Sequence, residues 1–337
     1  MKILGIESSC DECSVAVVED GTRILGQVIA TQIEFHKPFN GVVPEIASRK
    51  HTEWILPVYR QCLKESGLEA KDLDGIAVTN RPGLSGSLVV GLSFAKALAW
   101  GLGIPFVAVD HILGHLYAPH LETKLDYPYL GLLVSGGHTL IAVVHSFREI
   151  EVLGTTIDDA CGEAFDKVAK HFELGYPGGV VIDRLAQSGN PRAFRFPDAS
   201  LRKGEHRLDV SYSGLKTAVI NQMDQFWDGV SEKSTANIAA SFQKAAVDMI
   251  LKRLYRAVEE TDLSTVVVGG GVAANSYLRA QLSARADVDA VFPSLELCTD
   301  NGAMIAGLGY HYLAAGDSSG LETDVSARVT GMRKTYP

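Results

Sequence analysis

Apolar and polar positions alternate along the chain with a period that changes several times. Short apolar runs at 2–9, 13–19 and 22–31 predict three strands, and the Asp20–Gly21 pair is typical of a two-residue hairpin turn. A helical pattern follows at 46–67, closed by Gly67. A strand at 74–79, a Gly-rich turn, a helix at 87–103 and a strand at 105–110 complete this half.

The same order of elements returns after Tyr127. Strands are predicted at 129–137, 138–146 and 149–156, then a helix at 158–172 and a loop-rich insertion over 175–216. The second half ends with a helix at 234–260, a strand at 264–270, a helix at 273–285, a strand at 289–294 and a final helix at 300–316. The opening strands of the two halves share residues at matched positions: Leu4 and Leu130, Gly5 and Gly131, Ser9 and Ser135.

This duplicated plan resembles the α/β fold shared by actin, hexokinase and the Hsp70 chaperones (the ASKHA fold). The resemblance implies two lobes with a nucleotide cleft between them, and 337 residues exceed the usual size of a single hydrophobic core. We expect an N-terminal lobe at 1–126, completed by the C-terminal helix at about 300–316. The C-terminal lobe is expected at 127–299, with a basic insertion at 175–216.

Bulk composition narrows the class of protein. A formal net charge of −9 argues against broad, non-specific nucleic-acid binding, although a local basic patch remains compatible with it. Five scattered cysteines do not form a disulfide framework. The start of the chain lacks the pattern of a signal peptide, and no segment has the long uninterrupted apolar run of a membrane span. We therefore expect a cytoplasmic protein with no membrane association.

Three Gly- or Ser-rich turns are candidates for holding phosphate or ribose through backbone amides. They are "SSCDE" at 8–12, "SGGHT" at 135–139 and "VVVGGGVAAN" at 266–275. None is a Walker loop, and a Gly-rich turn alone is more often an ordinary tight turn. Their matched positions in the two halves favour nucleotide binding.

A pair of histidines, His111 and His115, is spaced to share one helical face, which suits a single metal ion. Ile112 stands where a zincin protease needs Glu, so a protease is not favoured. Alone, such a pair is more often two structural or surface histidines. Asp300 could complete a two-histidine, one-carboxylate set, or could instead cap the helix that follows it.

Further charged residues remain open to two interpretations. Asp11 and Glu12, in the first candidate loop, indicate either a proton-transfer or cation-binding role or a solvated turn. The Cys10–Cys13 pair has no second pair with which to form a structural zinc site. The stretch 191–216 mixes cations with aromatic residues, as in surfaces that contact nucleic acid, or is an ordinary surface loop. Its candidate nucleic-acid contacts are Arg192, Arg195, Arg202, Lys203 and Arg207.

Ten ordered motifs, among them "GIESSCDE", "HILGH", "LLVSGGHT", "GEAFDKVAK", "YSGLKT" and "CTDNGAMIA", are similar to those of the bacterial TsaD family. The resemblance runs from Lys2 to about Gly316. It implies transfer of a threonylcarbamoyl group from threonylcarbamoyl-AMP to the exocyclic amine of the adenine 3′ of the anticodon, in tRNAs that read ANN codons. It also implies a TsaB-like paralogue and a TsaE-like ATPase as partners, with a TsaC-like enzyme supplying the adenylate.

The resemblance also assigns site residues. It implies one divalent metal ion, Fe²⁺ or Zn²⁺, on His111, His115 and Asp300, and an adenine nucleotide bound as substrate or product. The implied substrate contacts are Val134, Ser135, Gly136, Gly137, His138, Asp166, Gly179, Asp183 and Asn275. The chain departs from the family pattern at Leu113, usually Glu, and Cys13, usually Thr. The main rival is an ATP-hydrolysing or sugar-kinase-like enzyme of the same fold, and the second is a non-catalytic partner protein.

Overall fold

The first half of the chain folds around a mixed five-stranded sheet in the computed structural model, which describes residues 1–198 and 207–328. Its strands are β1 (Lys2–Glu7), β2 (Glu12–Glu19), β3 (Arg23–Thr31), β4 (Gly75–Arg81) and β5 (Phe106–Asp110). Their order is β3-β2-β1-β4-β5, with β1 antiparallel to β2 and parallel to β4. Asp20 and Gly21 both have positive φ, so the predicted hairpin turn is confirmed.

A second sheet repeats this topology. Its strands are β6 (Tyr129–Val134), β7 (Thr139–Val144), β8 (Ile150–Thr155), β9 (Thr265–Gly269) and β10 (Asp289–Val291), in the order β10-β9-β6-β7-β8. The register repeats as well, because Gly5 pairs with Ala16 and Gly131 pairs with Ala142. The internal duplication predicted from the sequence is thus present residue by residue in the central strands.

Twelve α-helices are present in the described residues. In chain order they are α1 (Ile33–His36), α2 (Pro44–Ser66), α3 (Ser85–Leu102), α4 (His111–Tyr117), α5 (Cys161–His171), α6 (Gly178–Ala186), α7 (Tyr212–Asn221), α8 (Met223–Phe226), α9 (Thr235–Thr261), α10 (Ser276–Ser283), α11 (Leu295–Cys298) and α12 (Gly302–Ala314). Short 3-10 turns include Ala118–Leu121 and Gly271–Ala274. As predicted, α2 is closed by Gly67, in the left-handed conformation.

The described chain divides into two units. The first combines Met1–Asp126 with the segment from Pro293 onward, and the second is Tyr127–Phe292. Residues 293–299, expected in the second lobe, therefore cluster with the first unit. The reason is local: α11 contacts the 3-10 turn Ala118–Leu121, and the Ser294 amide donates to Glu122 at 2.7 Å.

The predicted loop-rich insertion at 175–216 contains more regular structure than expected, which corrects that prediction. Helix α6 lies within it and α7 begins in it. The Gly178 amide donates to Asp166 at 2.7 Å, and α6 begins at this residue. Ile182 and Leu215 are fully buried, so apolar burial holds both helices in place.

Helix α3 is long and apolar enough, by length and composition, to cross a membrane. The core helix of a soluble protein meets the same test. Leu88, Leu92, Ala95 and Ala99 of this helix are buried, and α3 contacts α2 and β4. A single helix of this kind is weak evidence for a membrane span.

Helix α12 packs against β1, β2 and β4 of the first sheet. The contact is close because two glycines meet: a Cβ at Gly5 would lie 2.1 Å from the Gly302 carbonyl oxygen. Helix α4 also contacts α12. This packing brings the residue before α12 close to the histidines of α4.

Candidate metal centre and substrate loops

Helix α4 begins directly after β5, and its first turn is fixed by Asp110. The Asp110 carboxylate accepts from the Ile112 amide at 2.9 Å and, on its other oxygen, from the Arg81 guanidinium at 3.3 Å. One helical turn then separates His111 and His115, whose ring centroids lie 4.5 Å apart. Both rings are buried, at 6% and 1% exposure.

The structure decides between the two interpretations of Asp300. The N-cap of α12 is Asn301, whose Oδ1 accepts from the Met304 amide at 2.9 Å. The carboxylate of Asp300 is instead directed to the histidines. Its Oδ1 lies 3.0 Å from His115 Nε2 and 3.5 Å from His111 Nε2.

These three residues form a possible metal site. One donor atom from each of His111, His115 and Asp300 lies within 4.8 Å of the others. Two imidazole nitrogens and one carboxylate oxygen suit Fe²⁺ or Zn²⁺ and leave coordination positions open for a substrate. The donor set therefore fits the ion that the family resemblance implies.

Sequence reasoning missed a fourth residue, Glu7, at the end of β1. It is fully buried, and its Oε2 lies 3.0 Å from His111 Nδ1. The same oxygen accepts from the Thr79 hydroxyl at 2.6 Å. An acidic residue that ends an otherwise apolar strand was the signal available in the sequence.

Electrostatics around the histidines favour positive charge. Burial opposes protonation of His111, but the carboxylates of Asp300 and Glu7 outweigh it and raise its pKa to about 9. Burial and the neighbouring His111 lower the pKa of His115. Two carboxylates thus face two imidazoles in a buried site, an arrangement that a cation stabilises.

Asp11 and Glu12 do not form a solvated turn. Asp11 is 8% exposed, and its carbonyl accepts from the Gln32 amide at 3.0 Å. Burial raises the pKa of the Glu12 carboxyl well above its usual range, and the charges of Asp11 and Asp300 raise it further. His51 holds this loop by donating to the Cys10 carbonyl at 2.9 Å.

In the second unit, Val134 ends β6 and the turn Ser135–His138 joins β6 to β7. The His138 amide donates to the Ser135 hydroxyl at 3.0 Å, which closes the turn. Gly136 and Gly137 are exposed, and a Cβ at either would meet nothing within 4 Å. Their amides therefore lie in a turn with open space beside it.

Two other glycines bring neighbouring segments against this turn. A Cβ at Gly162, in the first turn of α5, would lie 2.8 Å from the Ser135 carbonyl oxygen. Gly270 has φ +90°, and a Cβ there would lie 2.5 Å from the Val134 carbonyl oxygen. The "SGGHT" turn, the start of α5 and the "GGGVAAN" loop are thus in contact with one another.

The remaining predicted substrate residues lie on elements next to this turn. Asp166 of α5 binds the start of α6, beside Gly179. Asp183 of α6 accepts from the Asn275 amide group at 3.3 Å and from the Ser276 hydroxyl at 2.7 Å. Asn275 in turn caps α10 through the Leu278 amide at 3.0 Å. Helices α5 and α6 are in contact, and α5 contacts the 3-10 turn Gly271–Ala274.

The basic stretch divides into parts with different surroundings. Arg192 and Arg195 are exposed and line a cavity of about 390 Å³ with Phe196. Arg207 instead forms two hydrogen bonds with Glu260, at 2.9 and 2.6 Å. The predicted contacts Arg202 and Lys203 lie outside the described residues.

Sequence reasoning also missed cations that α9 adds to the same cavity. Lys244 and Lys252 line it, and Lys244 pairs with Asp248 on the same helix. The ring of Phe196 stacks on that of Phe194, with centroids 5.6 Å apart.

All five cysteines are free, including Cys10 and Cys13.

Comparison with known proteins identifies the family. The family model described as "TsaD: tRNA N6-adenosine threonylcarbamoyltransferase" matches residues 23–307. The chain belongs to this family. The resemblance inferred from its motifs is thereby confirmed, and the rival of an ATP-hydrolysing or sugar-kinase-like enzyme is not favoured.

Curated relatives of the TsaD family match almost the full chain. The tRNA N6-adenosine threonylcarbamoyltransferase of Treponema denticola is 64% identical over 99% of this chain and 99% of its own length. The protein of the same name from Treponema pallidum is 56% identical over 95% of this chain and 91% of its own. The protein of the same name from Borrelia garinii subsp. bavariensis is 51% identical over 100% of this chain and 99% of its own length.

Solved structures similar to this chain show the fold alone. Full-length HypF has a TM-score of 0.63 at 15% identity, covering 94% of this chain and 47% of its own. Component A of the (R)-2-hydroxyglutaryl-CoA dehydratase from Acidaminococcus fermentans has a TM-score of 0.58 at 13% identity, covering 93% of this chain and 99% of its own. The ROK hexokinase from Thermus thermophilus has a TM-score of 0.50 at 17% identity, covering 94% of this chain and 100% of its own. These neighbours confirm the predicted hexokinase-like class.

Proposed function

We propose that this chain transfers the threonylcarbamoyl group of threonylcarbamoyl-AMP to the exocyclic amine of the adenine 3′ of the anticodon, in tRNAs reading ANN codons. The amine nitrogen bonds to the carbamoyl carbon, the bond from that carbon to the phosphate oxygen breaks, and AMP leaves. The amine also loses a proton. The observation that carries the proposal is the donor set of two buried histidines, His111 and His115, with the half-buried Asp300, in a chain of this family.

His111, His115 and Asp300 would hold one Fe²⁺ or Zn²⁺ ion. When bound, such an ion polarises the carbamoyl carbonyl as a Lewis acid. Leu113, at the family's usual Glu position, contributes its amide to Asp110 and leaves this donor set intact.

Asp11 or Glu12 would accept the proton of the attacking amine or orient that amine. The adenine amine is a poor nucleophile, so a nearby base assists its attack. A carboxylate whose pKa is raised by burial is a stronger base than an exposed one, as described for Glu12.

The second unit would bind the adenylate. The Gly136 and Gly137 amides of the Ser135–His138 turn are suited to the phosphate, and Asp183 with Asn275 is suited to ribose hydroxyls. Together they would position the donor for attack. The proposed contacts are Val134, Ser135, Gly136, Gly137, His138, Asp166, Gly179, Asp183 and Asn275.

The other substrate is tRNA. Arg192 and Arg195 would contact its backbone, with Arg202, Lys203 and Arg207 alongside. We also propose a cytoplasmic location and the lobe boundaries expected from the sequence, except that residues 293–299 belong with the first lobe. The proposed partners are those implied by the family: a TsaB-like paralogue, a TsaE-like ATPase and a TsaC-like supplier of the adenylate.

The deciding experiment incubates the protein and its partners with threonylcarbamoyl-AMP and unmodified tRNA, followed by digestion and mass measurement of the nucleosides. We expect threonylcarbamoyladenosine from the wild type and from His145→Ala, a control on a partly exposed histidine. The double variant His111→Ala/His115→Ala should lose both metal and transfer, and Asp11→Ala or Glu12→Ala should slow single-turnover transfer. Full activity of the metal-free double variant would falsify the metal-assisted mechanism.

A further inference from the structure

We propose that Glu7 is a positioning residue that holds His111 in the orientation and tautomer that metal binding requires. The proposal rests on the metal site of the proposed function. Among the three proposed ligands, Glu7 forms a hydrogen bond and an ion pair with His111. Its effect on the orientation of the donor set would therefore pass through the ring of His111.

The hydrogen bonds of Glu7 fix which ring nitrogen of His111 carries a proton. A carboxylate oxygen only accepts, so His111 Nδ1, 3.0 Å from Glu7 Oε2, must be the donor. In the neutral ring, Nε2 then keeps its lone pair, and this is the nitrogen that faces Asp300. The Ser9 hydroxyl, 3.2 Å from the same Nδ1, can accept the same hydrogen.

Glu7 is itself held rigidly. Its Oε2 accepts from the Thr79 hydroxyl at 2.6 Å, and its Oε1 accepts from the Ser9 amide at 2.6 Å. The side chains of Glu7 and Thr79 are fully buried, on adjacent parallel strands of the first sheet. The carboxylate therefore has a fixed position from which to orient the ring.

Within the described residues, the charge of Glu7 is balanced by one neighbour. Its only ion pair there is with His111, while the nearby cation Arg81 pairs with Asp110. An ionised carboxylate at 0% exposure is costly to bury without a partner. A purely structural role would be met more cheaply by an amide or an apolar side chain.

The second histidine lacks such support. The buried Nδ1 of His115 has no hydrogen-bond partner, so packing and Asp300 determine its orientation. The two ligand histidines are thus asymmetric. A change at Glu7 should affect His111 and leave His115 in place.

The test replaces Glu7 with Gln and measures Co²⁺ and Zn²⁺ affinity by calorimetry, with the Co²⁺ absorption spectrum as a geometric readout. Gln places its NH₂ group either against the Ser9 amide or, at the Oε2 position, against His111 Nδ1 and the Thr79 hydroxyl, so it cannot reproduce all three hydrogen bonds. We expect about 10- to 100-fold weaker binding and an altered Co²⁺ spectrum. Glu7→Asp, which keeps the charge, should recover part of the affinity.

Thr79→Val is the matched control, because it removes one hydrogen bond to the same carboxylate without touching His111. It should change metal affinity by only a few-fold. A folded Glu7→Gln protein with wild-type affinity and spectrum would overturn the proposal, and so would equal losses in both variants. If Glu7→Gln does not fold, ¹⁵N NMR of Zn²⁺-loaded wild type decides: a proton on His111 Nδ1 supports the proposal, and Zn²⁺ on Nδ1 overturns it.

Transfer activity is assayed in parallel, so that the two ideas can fail separately. Loss of metal affinity in Glu7→Gln, with no tRNA modification by the wild type, would leave the positioning role standing and remove the proposed function. If the wild type modifies tRNA but Glu7→Gln binds metal as tightly as the wild type, the proposed function would stand and the positioning role of Glu7 would be removed.

Discussion

At the scale of single residues, neighbouring Asp300 and Asn301 show what sequence can and cannot assign. Asp and Asn are about equally good N-caps, so either could have capped α12. The choice follows from where Gly302 packs against β1 and β2, which is a tertiary fact. The sequence therefore yields the correct pair of candidates, and the structure assigns capping to one and the histidines to the other.

Because Asn301 caps α12 and Asp300 contacts the histidines, substitutions at these adjacent residues should affect different quantities, the free energy of unfolding and the metal affinity. Asn301→Ala removes a cap and should lower the free energy of unfolding by about 1–2 kcal/mol, with metal binding largely kept. Asp300→Asn should abolish tight metal binding and leave the cap of α12 in place, so the metal-free protein loses only the attraction between Asp300 and the histidines. Urea unfolding in chelator and Co²⁺ titration measure both. Loss of metal binding through Asn301→Ala alone would contradict the assignment.

At the scale of elements, the metal site depends on how closely α12 approaches the first sheet. The sequence predicts both β1 and α12, but nothing in their patterns says that they touch. Gly5 supplies that information only once the fold is known, because a Cβ there would meet backbone atoms of Gly302 and Ala306 at 2.1 and 2.5 Å. The same limit hid α6, whose first residue is held by Asp166 of α5.

We predict that Gly5→Ala displaces α12 and damages the metal site from a distance. Backbone atoms cannot rotate away as a side chain can, so unfolding free energy should fall by about 2–3 kcal/mol or more. Because Asp300 directly precedes α12, Co²⁺ affinity should fall as well. Gly101→Ala is the control: it lies in α3 with nothing within 4 Å of the added methyl, and should be neutral or slightly stabilising. Equal behaviour of the two variants would show that the close contact is unimportant.

At the scale of the whole molecule, the repeated topology was the most predictable feature. It appears in the sequence because each half repeats the same change from strand period to helix period, and the matched Gly5 and Gly131 occupy the same ladder position. The metal donors were less predictable: His111 and His115 are close in sequence, but Asp300 comes from 185 residues further along than His115. Glu7 was missed because the role of a buried charge in a strand depends on residues that are distant in sequence and lie beside it only in the folded chain.

The whole-molecule charge distribution leads to a prediction about tRNA. A chain of net charge −9 repels RNA except where cations cluster, so the exposed Arg192 and Arg195 should supply a measurable share of binding. We expect Arg192→Glu/Arg195→Glu to weaken tRNA binding about tenfold or more at low salt, and to reduce the slope of log K against log salt by about one to two. Fluorescence anisotropy over a salt series measures both quantities, and threonylcarbamoyl-AMP affinity should not change.

The matched control carries the same change in net charge elsewhere. Lys37→Glu/Lys71→Glu alters two exposed lysines of the first unit that already pair with acidic neighbours, and it should lower affinity only slightly, with the slope unchanged. Arg207→Ala should have a smaller effect than Arg195→Ala, because Glu260 already neutralises Arg207. If the control weakened tRNA binding as strongly as the arginine variant, long-range repulsion by the acidic chain would explain the loss. The basic segment beside α9 would then have no direct role in holding tRNA.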